Sequence, residues 1–253
     1  MDSHLRQIVT FECEGETLVG TLDDAAGATG ILIVSGGNEV RWGTCRAMAL
    51  LAGRLSGAGI PTFRFDRRGV GDSSGENLGY AASIPDIAAA LATFRDSRPH
   101  LTRVIGFGNC DAAVALLLHP HRFDALVLAN PWLGNETAPP PPAAIRAGYA
   151  RALRDPRAWL RLISPARLGR FSREIPLFFR TSRQPLTQQV TQALAKAPPT
   201  LIVLAKHDRS AQIFAAAISL PDKVRCVEID THSHGFVDAI EPLTRILIES
   251  ARG

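Results

Sequence analysis

Short apolar runs alternate with stretches of helical spacing along this chain, and that alternation leaves few folds open. Gly30-Ile31-Leu32-Ile33-Val34 has no polar face, the pattern of a strand covered on both sides. Cys45 to Ser56 then places apolar residues at helical spacing, stops at Gly57 and Gly59, and gives way to a strand at Pro61 to Phe65. The unit recurs as helix from Ile84 to Phe94, strand from Arg103 to Phe107, helix from Cys110 to Leu118 and strand from Ala125 to Ala129. Strands at Thr200 to Ala205 and Val224 to Ile229 and a closing helix from Val237 to Ser250 complete it. Such alternation implies a doubly wound, mostly parallel sheet with helices on both faces. Ahead of it, Gln7 to Cys13 and Thr17 to Leu22 alternate in period two around Glu14-Gly15-Glu16, which predicts an antiparallel hairpin.

After Trp132 the texture changes. Pro139 to Pro142 can form neither helix nor central strand, and the stretch that follows is rich in Arg, Pro and Ser. The expected organisation is therefore an α/β core over residues 1–132 and 200–253, interrupted by a helical cap over 133–199. Between those bounds eleven Arg and Lys residues face only Glu136, Asp155 and Glu174. If such a segment overhangs the site, its field would raise the local concentration of an anionic substrate.

A composition of 46% hydrophobic and 21% charged residues is that of a globular chain with a packed core. The first residues, Met1 to Gln7, carry no long apolar run, so neither a signal peptide nor a membrane span is expected, and the location predicted is cytoplasmic. Cys13, Cys45, Cys110 and Cys226 lie far apart with no CxxC pairing, which argues against a zinc site and for free thiols; no metal or other cofactor is expected. The net charge is +4, yet no Lys/Arg block interleaved with aromatics marks a nucleic-acid surface.

The chemistry is concentrated at Val104-Ile105-Gly106-Phe107-Gly108-Asn109-Cys110-Asp111-Ala112-Ala113, where an apolar strand runs straight into an Ala/Leu-rich helix. A sharp strand-to-helix turn that projects a nucleophile needs small neighbours, and Gly108 and Ala112 supply them. Cys110 is the turn residue, and a thiol at a helix N-terminus feels the positive end of the helix dipole, which favours the thiolate. Burial as a small apolar residue is the plainer role for a free cysteine, but the elbow context favours nucleophilic catalysis.

A base should follow the last strand of the core. Asp230-Thr231-His232-Ser233-His234-Gly235-Phe236 offers two, of which His234 is preferred because it leads into the final helix, with His232 as the alternative. The orienting acid is expected just past the preceding strand, at Asp208, which is also suited to cap a helix starting near Ser210. Oxyanion donors are expected from the backbone of Asp111 and from the Gly36-Gly37-Asn38 turn, with Gly37 and Asn38 the candidates there. The loop Phe65-Asp66-Arg67-Arg68-Gly69-Val70-Gly71-Asp72-Ser73-Ser74-Gly75 lacks both the Walker lysine and the GxGxxG spacing, so it reads as a structural turn whose Asp66 and Arg68 pin neighbouring loops.

With Ser35-Gly36-Gly37, Arg64 to Ser73, Asn109-Cys110-Asp111-Ala112-Ala113 and Asn130-Pro131-Trp132 together, the chain resembles the α/β-hydrolases, and within them the type 1 hydrolases associated with the exosortase A system. The likeness spans about Val9 to Trp132 and resumes at Thr200. It implies the α/β-hydrolase fold and a cysteine nucleophile. Arg67 stands where an aromatic is expected in that group, and His234-Gly235-Phe236 replaces its His-Thr-Phe. Cysteine elbows are also found in dienelactone hydrolases and polyester synthases. The activity expected is therefore acyl hydrolysis of an ester or thioester through an acyl-cysteine. Acyl transfer from the same intermediate, or a non-catalytic binding protein on the same fold, are the alternatives. The partner expected is a small acyl substrate carried on coenzyme A or an acyl carrier protein.

Overall fold

The computed structural model describes residues 6–119, 123–134 and 185–253. Eight strands form one sheet in the order β1-β2-β4-β3-β5-β6-β7-β8. They are β1 (Arg6–Cys13), β2 (Glu16–Asp23), β3 (Thr29–Val34), β4 (Thr62–Phe65), β5 (Arg103–Asn109), β6 (Ala125–Ala129), β7 (Thr200–Ala205) and β8 (Arg225–Ile229). The β1–β2 hairpin turns at Glu14-Gly15, both at positive φ, and pairs antiparallel from Arg6↔Asp23 to Cys13↔Glu16. From β4 to β8 every pairing is parallel. The anticipated mostly parallel sheet with an antiparallel N-terminal hairpin is thus the observed one.

Periodicity decides which helices cover which face. Ile31, Ile33, Ile105, Phe107, Val127, Ala129, Val203 and Ala205 alternate onto one face, where they join Leu51 and Leu55 of α1 (Ala47–Gly57) and Leu243 and Leu247 of α6 (Ile240–Arg252). On the other face two glycines admit close helices. A Cβ on Gly30 would meet Phe94 of α2 (Ile84–Ser97), and one on Gly106 would meet Leu116 of α3 (Asp111–Leu118). Burying a side chain such as Phe107 or Leu243 in such a core contributes roughly 1.5–3 kcal/mol each.

Two helix starts differ from expectation. Cys45 and Arg46 both adopt left-handed φ (51° and 63°), so α1 begins at Ala47 rather than Cys45. The final helix begins at Ile240, because Phe236 at φ 55° breaks the chain direction before it. The expected insert over 133–199 lies mostly outside the described residues. Its last part is α4 (Leu186–Lys196), an amphipathic helix that buries Val190 and Leu194 fully. Helix α5 (Arg209–Ala217) follows β7.

The connections set the location of the site. From β3 the chain steps to β4 on one side and later to β5 on the other, so the C-terminal ends of β3 and β5 stand side by side, with Val34 opposite Gly108. A sheet that reverses its winding direction opens a crevice at that point. The segments after β3, β5, β7 and β8 carry Gly36-Gly37-Asn38, Cys110, Asp208 and His234 respectively.

Candidate active site

Cys110 occupies φ 61°, ψ −126°, between the last residue of β5 and the first of α3. This is an unfavourable conformation for a residue with a Cβ, costing on the order of 1–3 kcal/mol. Its backbone is held from both sides: the Cys110 N–H donates to Ala129 O (3.0 Å), and Cys110 O accepts from Trp132 N (3.2 Å). Expectation began the helix at Cys110, the turn residue; Cys110 is its N-cap, and α3 starts one residue later at Asp111. The glycine before it is forced by packing, because a Cβ on Gly108 would come within 2.9 Å of the Ala112 backbone and 2.8 Å of Leu116.

His234 Nδ1 lies 3.1 Å from Asp208 Oδ1, and the ring faces the same cleft as Cys110, whose sulfur acts on it electrostatically. With Nδ1 turned to the carboxylate, Nε2 is the nitrogen left for sulfur. The Cys110 contact foremost, followed by Asp208, raises the His234 pKa from 6.5 to about 9 against the opposing effect of burial. Asp208 has both roles foreseen for it, since the same Oδ1 accepts from Ala211 N (3.0 Å) and caps α5.

The loop bearing His234 is braced rather than free to swing. Thr231 Oγ1 donates to Asp238 and accepts from Ser233 N (2.9 Å), Ser233 Oγ accepts from Val237 N (2.9 Å), and Phe236 is fully buried. Asn130, to which no role was assigned from sequence, ties this loop to the sheet. It is fully buried at φ 41°, donates from Nδ2 to His234 O (2.8 Å), and accepts at Oδ1 from Ala205 N (2.8 Å). Its sequence signal was an Asn directly after a buried strand, where left-handed φ is tolerated best by that residue type. His232 stands in another cluster, stacked on His207 at 4.4 Å, while His207 Nε2 lies 2.8 Å from Asp230.

The turn after β3 is closed by Glu39 N donating to Gly36 O (3.0 Å), with Gly37 at φ 55°. Gly36 sits directly on the elbow: a Cβ there would lie 2.6 Å from Asn109 O and 3.0 Å from Cys110 Cβ. One expected donor is occupied, however, because Gly37 N donates to the Asp111 carboxylate (2.7 Å). Asn38 lies beside it, its side-chain Oδ1 accepting from Asn77 (2.7 Å). Together with Trp42 and Val237, the elbow, the turn and His234 line an open cleft of about 730 Å³.

Asp66 and Arg68 pin loops as anticipated. The fully buried Asp66 carboxylate accepts from Arg41 N (2.6 Å), from the Arg41 guanidinium and from Asp72 N (3.1 Å). Arg68 donates to Asp86 (2.6 Å) and Glu14 (2.6 Å). Among the other thiols, burial first and Asp86 second push Cys13 up to about 11, and burial raises Cys226. Among the described residues no group of three His, Cys, Asp or Glu side chains could hold a metal ion, and no helix is long and apolar enough to cross a membrane.

Residues 31–242 match the family model described as the alpha/beta hydrolase family. Among curated proteins no relative matches. Solved structures share the fold at low identity. The Pyrococcus furiosus esterase Pf2001 is 17% identical, covering 98% of this chain and 92% of its own, with a TM-score of 0.66. DcsB, solved in complex with its substrate analogue, is 17% identical over 98% of this chain and 100% of its own, at a TM-score of 0.70. XC6422 of Xanthomonas campestris, described as an α/β serine hydrolase without lid, is 16% identical over 98% and 94%, at a TM-score of 0.62. The match over most of the chain, joined to the sheet order and the elbow, places the protein in the alpha/beta hydrolase family.

Proposed function

We infer that the protein is an acyl hydrolase acting on an ester or thioester through a covalent acyl-cysteine at Cys110, with His234 as base and Asp208 as the orienting acid. The observation that carries this reading is the Asp208–His234 hydrogen bond set beside Cys110, a thiol in the strained elbow that lines the same cleft as His234. In this reading the Cys110 thiolate attacks the acyl carbonyl and the His234 imidazolium donates its proton to the leaving alcohol or thiol. The neutral ring then takes a proton from water, which attacks the thioester, releases the acid and restores the thiolate. Asp208 holds the ring in one tautomer. The oxyanion accepts from the N–H of Asp111 and from that of Asn38, since Gly37 N already donates to a carboxylate.

The Asn109-Cys110-Asp111-Ala112-Ala113 elbow also supports the narrower grouping with the exosortase A system hydrolases of type 1. The excess of Arg over 133–199 supports an acyl group borne on an anionic carrier, coenzyme A or an acyl carrier protein. The test is turnover of an acetyl-coenzyme A or p-nitrophenyl ester by wild type and Cys110→Ala, with and without added amines and alcohols. The reading requires free acid as product and no turnover by Cys110→Ala. An amide or new ester as the main product would make the protein an acyltransferase, and undiminished turnover in Cys110→Ala would remove the acyl-cysteine.

A further inference from the structure

Arg67 is buried beneath the turn that follows β3, with 3% of its side chain exposed. Its Nη2 donates to Gly37 O and lies 3.7 Å from Asp111 Oδ1, and among the described residues its Nη1 has no hydrogen-bond partner. Taking a guanidinium out of water costs several kcal/mol, which ion pairing at hydrogen-bond distance normally offsets. Here the nearest carboxylate is beyond that distance, and it is the carboxylate that accepts from Gly37 N (2.7 Å). Such an arrangement contributes little to stability for what it costs in desolvation, so its role has to be sought in what it holds.

It holds one residue, Gly37, through both of its peptide groups. The carbonyl of Gly37 is fixed by Arg67, and its N–H by the Asp111 carboxylate, which lies 3.7 Å from the same guanidinium. The guanidinium is delivered by a loop that cannot retreat. Val70 N donates to Arg67 O (3.0 Å), and the residues on either side, Asp66 and Arg68, are anchored to Arg41 and to Asp86 and Glu14. Asp111 is the residue after Cys110, so the clamp couples the turn directly to the elbow.

We propose that Arg67 is a positioning residue: through Gly37 and Asp111 it sets the orientation of the Gly36–Asn38 turn against the Cys110 elbow and so aims the Asn38 N–H at the oxyanion. The catalytic part rests on the acyl-cysteine reading above; the structural part does not. Arg67→Met keeps the aliphatic stem and removes the fork. Arg67→Met/Asp111→Asn removes both charges, which keeps the comparison available if the single variant fails to fold.

Three readouts separate the possibilities. The rate of Cys110 acylation by p-nitrophenyl acetate, followed as p-nitrophenolate release, is expected to fall by ~10²-fold, the effect of losing one oxyanion donor, with KM nearly unchanged. Alkylation of Cys110 by iodoacetamide, which needs the thiolate and no oxyanion, is expected to keep its wild-type rate. Hydrogen exchange of the peptide containing residues 35–40 is expected to speed up while that of α3 stays as in the wild type. Acylation at the wild-type rate, acylation and alkylation falling in parallel, or unaltered exchange in the turn would each overturn the proposal. A wild-type protein that releases no p-nitrophenolate would defeat the acyl-cysteine reading instead, and the exchange experiment would still decide whether Arg67 orders the turn.

Discussion

Gly36→Ala probes how closely the turn after β3 must approach the elbow. The added Cβ would sit 2.6 Å from Asn109 O, 3.0 Å from Asp111 Oδ1 and 3.0 Å from Cys110 Cβ. Two of these belong to backbone or to a strained Cβ, and neither can rotate away. Ordinary carbon contacts lie at ~3.5–4.0 Å, so relief requires the turn to withdraw by roughly 0.5–1 Å. Overpacking of this kind costs about 1–3 kcal/mol. At this chain length that lowers Tm by roughly 2–4 °C per kcal/mol. The catalytic cost is larger, because a 1 Å misplacement of a positioning group lowers a rate by ~10²-fold. Acylation by p-nitrophenyl acetate under single-turnover conditions should therefore fall ~10–10²-fold in Gly36→Ala, while iodoacetamide alkylates Cys110 at the wild-type rate. Wild-type acylation in a folded Gly36→Ala protein would refute the inference that the turn works in contact with the elbow.

The other expectations concern the groups around His234. Since its folded pKa of about 9 lies above the unfolded 6.5, its contribution to stability is complete below about pH 6.5 and is lost as pH rises through about 9. An NMR titration should show that high value, and because Cys110 is the foremost cause it should drop in Cys110→Ala. An unchanged value there would contradict the contact. kcat/KM should correspondingly decline above about pH 9 as the imidazolium loses its proton. Replacing the base costs on the order of 10²–10⁴-fold, so His234→Ala should lose that much while His232→Ala, stacked on His207, loses little; the reverse order would transfer the role of base. Asp208→Asn keeps an N-cap for α5 but loses the charge beside His234, so kcat should fall with little change in Tm, whereas Asp208→Ala should also lose about 1 kcal/mol of stability.

How much of this was legible in the sequence varies with the distance over which each feature is determined. Strands buried on both faces, such as Gly30 to Val34 and Ala125 to Ala129, declare themselves through unbroken apolar runs, and the helices between them imply that they pair in parallel. Cys110 was legible because an elbow writes its steric demand into Gly108 and Ala112. The left-handed pair Cys45–Arg46 was not, because neither is a residue type that signals positive φ, and helical spacing continued through them. The Asp111–Gly37 hydrogen bond joins residues 74 positions apart, and Asn130 reaches 104 and 75 positions to its partners. Contacts of that span depend on the assembled sheet ends, so a local pattern could nominate Gly37 as a donor but could not reveal that its N–H was already engaged. Arg67 was noted only as an unusual residue in a structural loop, since nothing nearby in sequence indicates what lies above it.

The central claim is that Cys110 is the nucleophile. Its most direct test is the intact mass of the protein quenched during reaction with p-nitrophenyl acetate, followed by peptide mapping. The account predicts one acetyl group per chain on the peptide carrying Cys110, and none in Cys110→Ala, with Cys13, buried and pushed up to about 11, unmodified. An acetyl group found on another residue, or the same adduct formed at the same rate by Cys110→Ala, would contradict it.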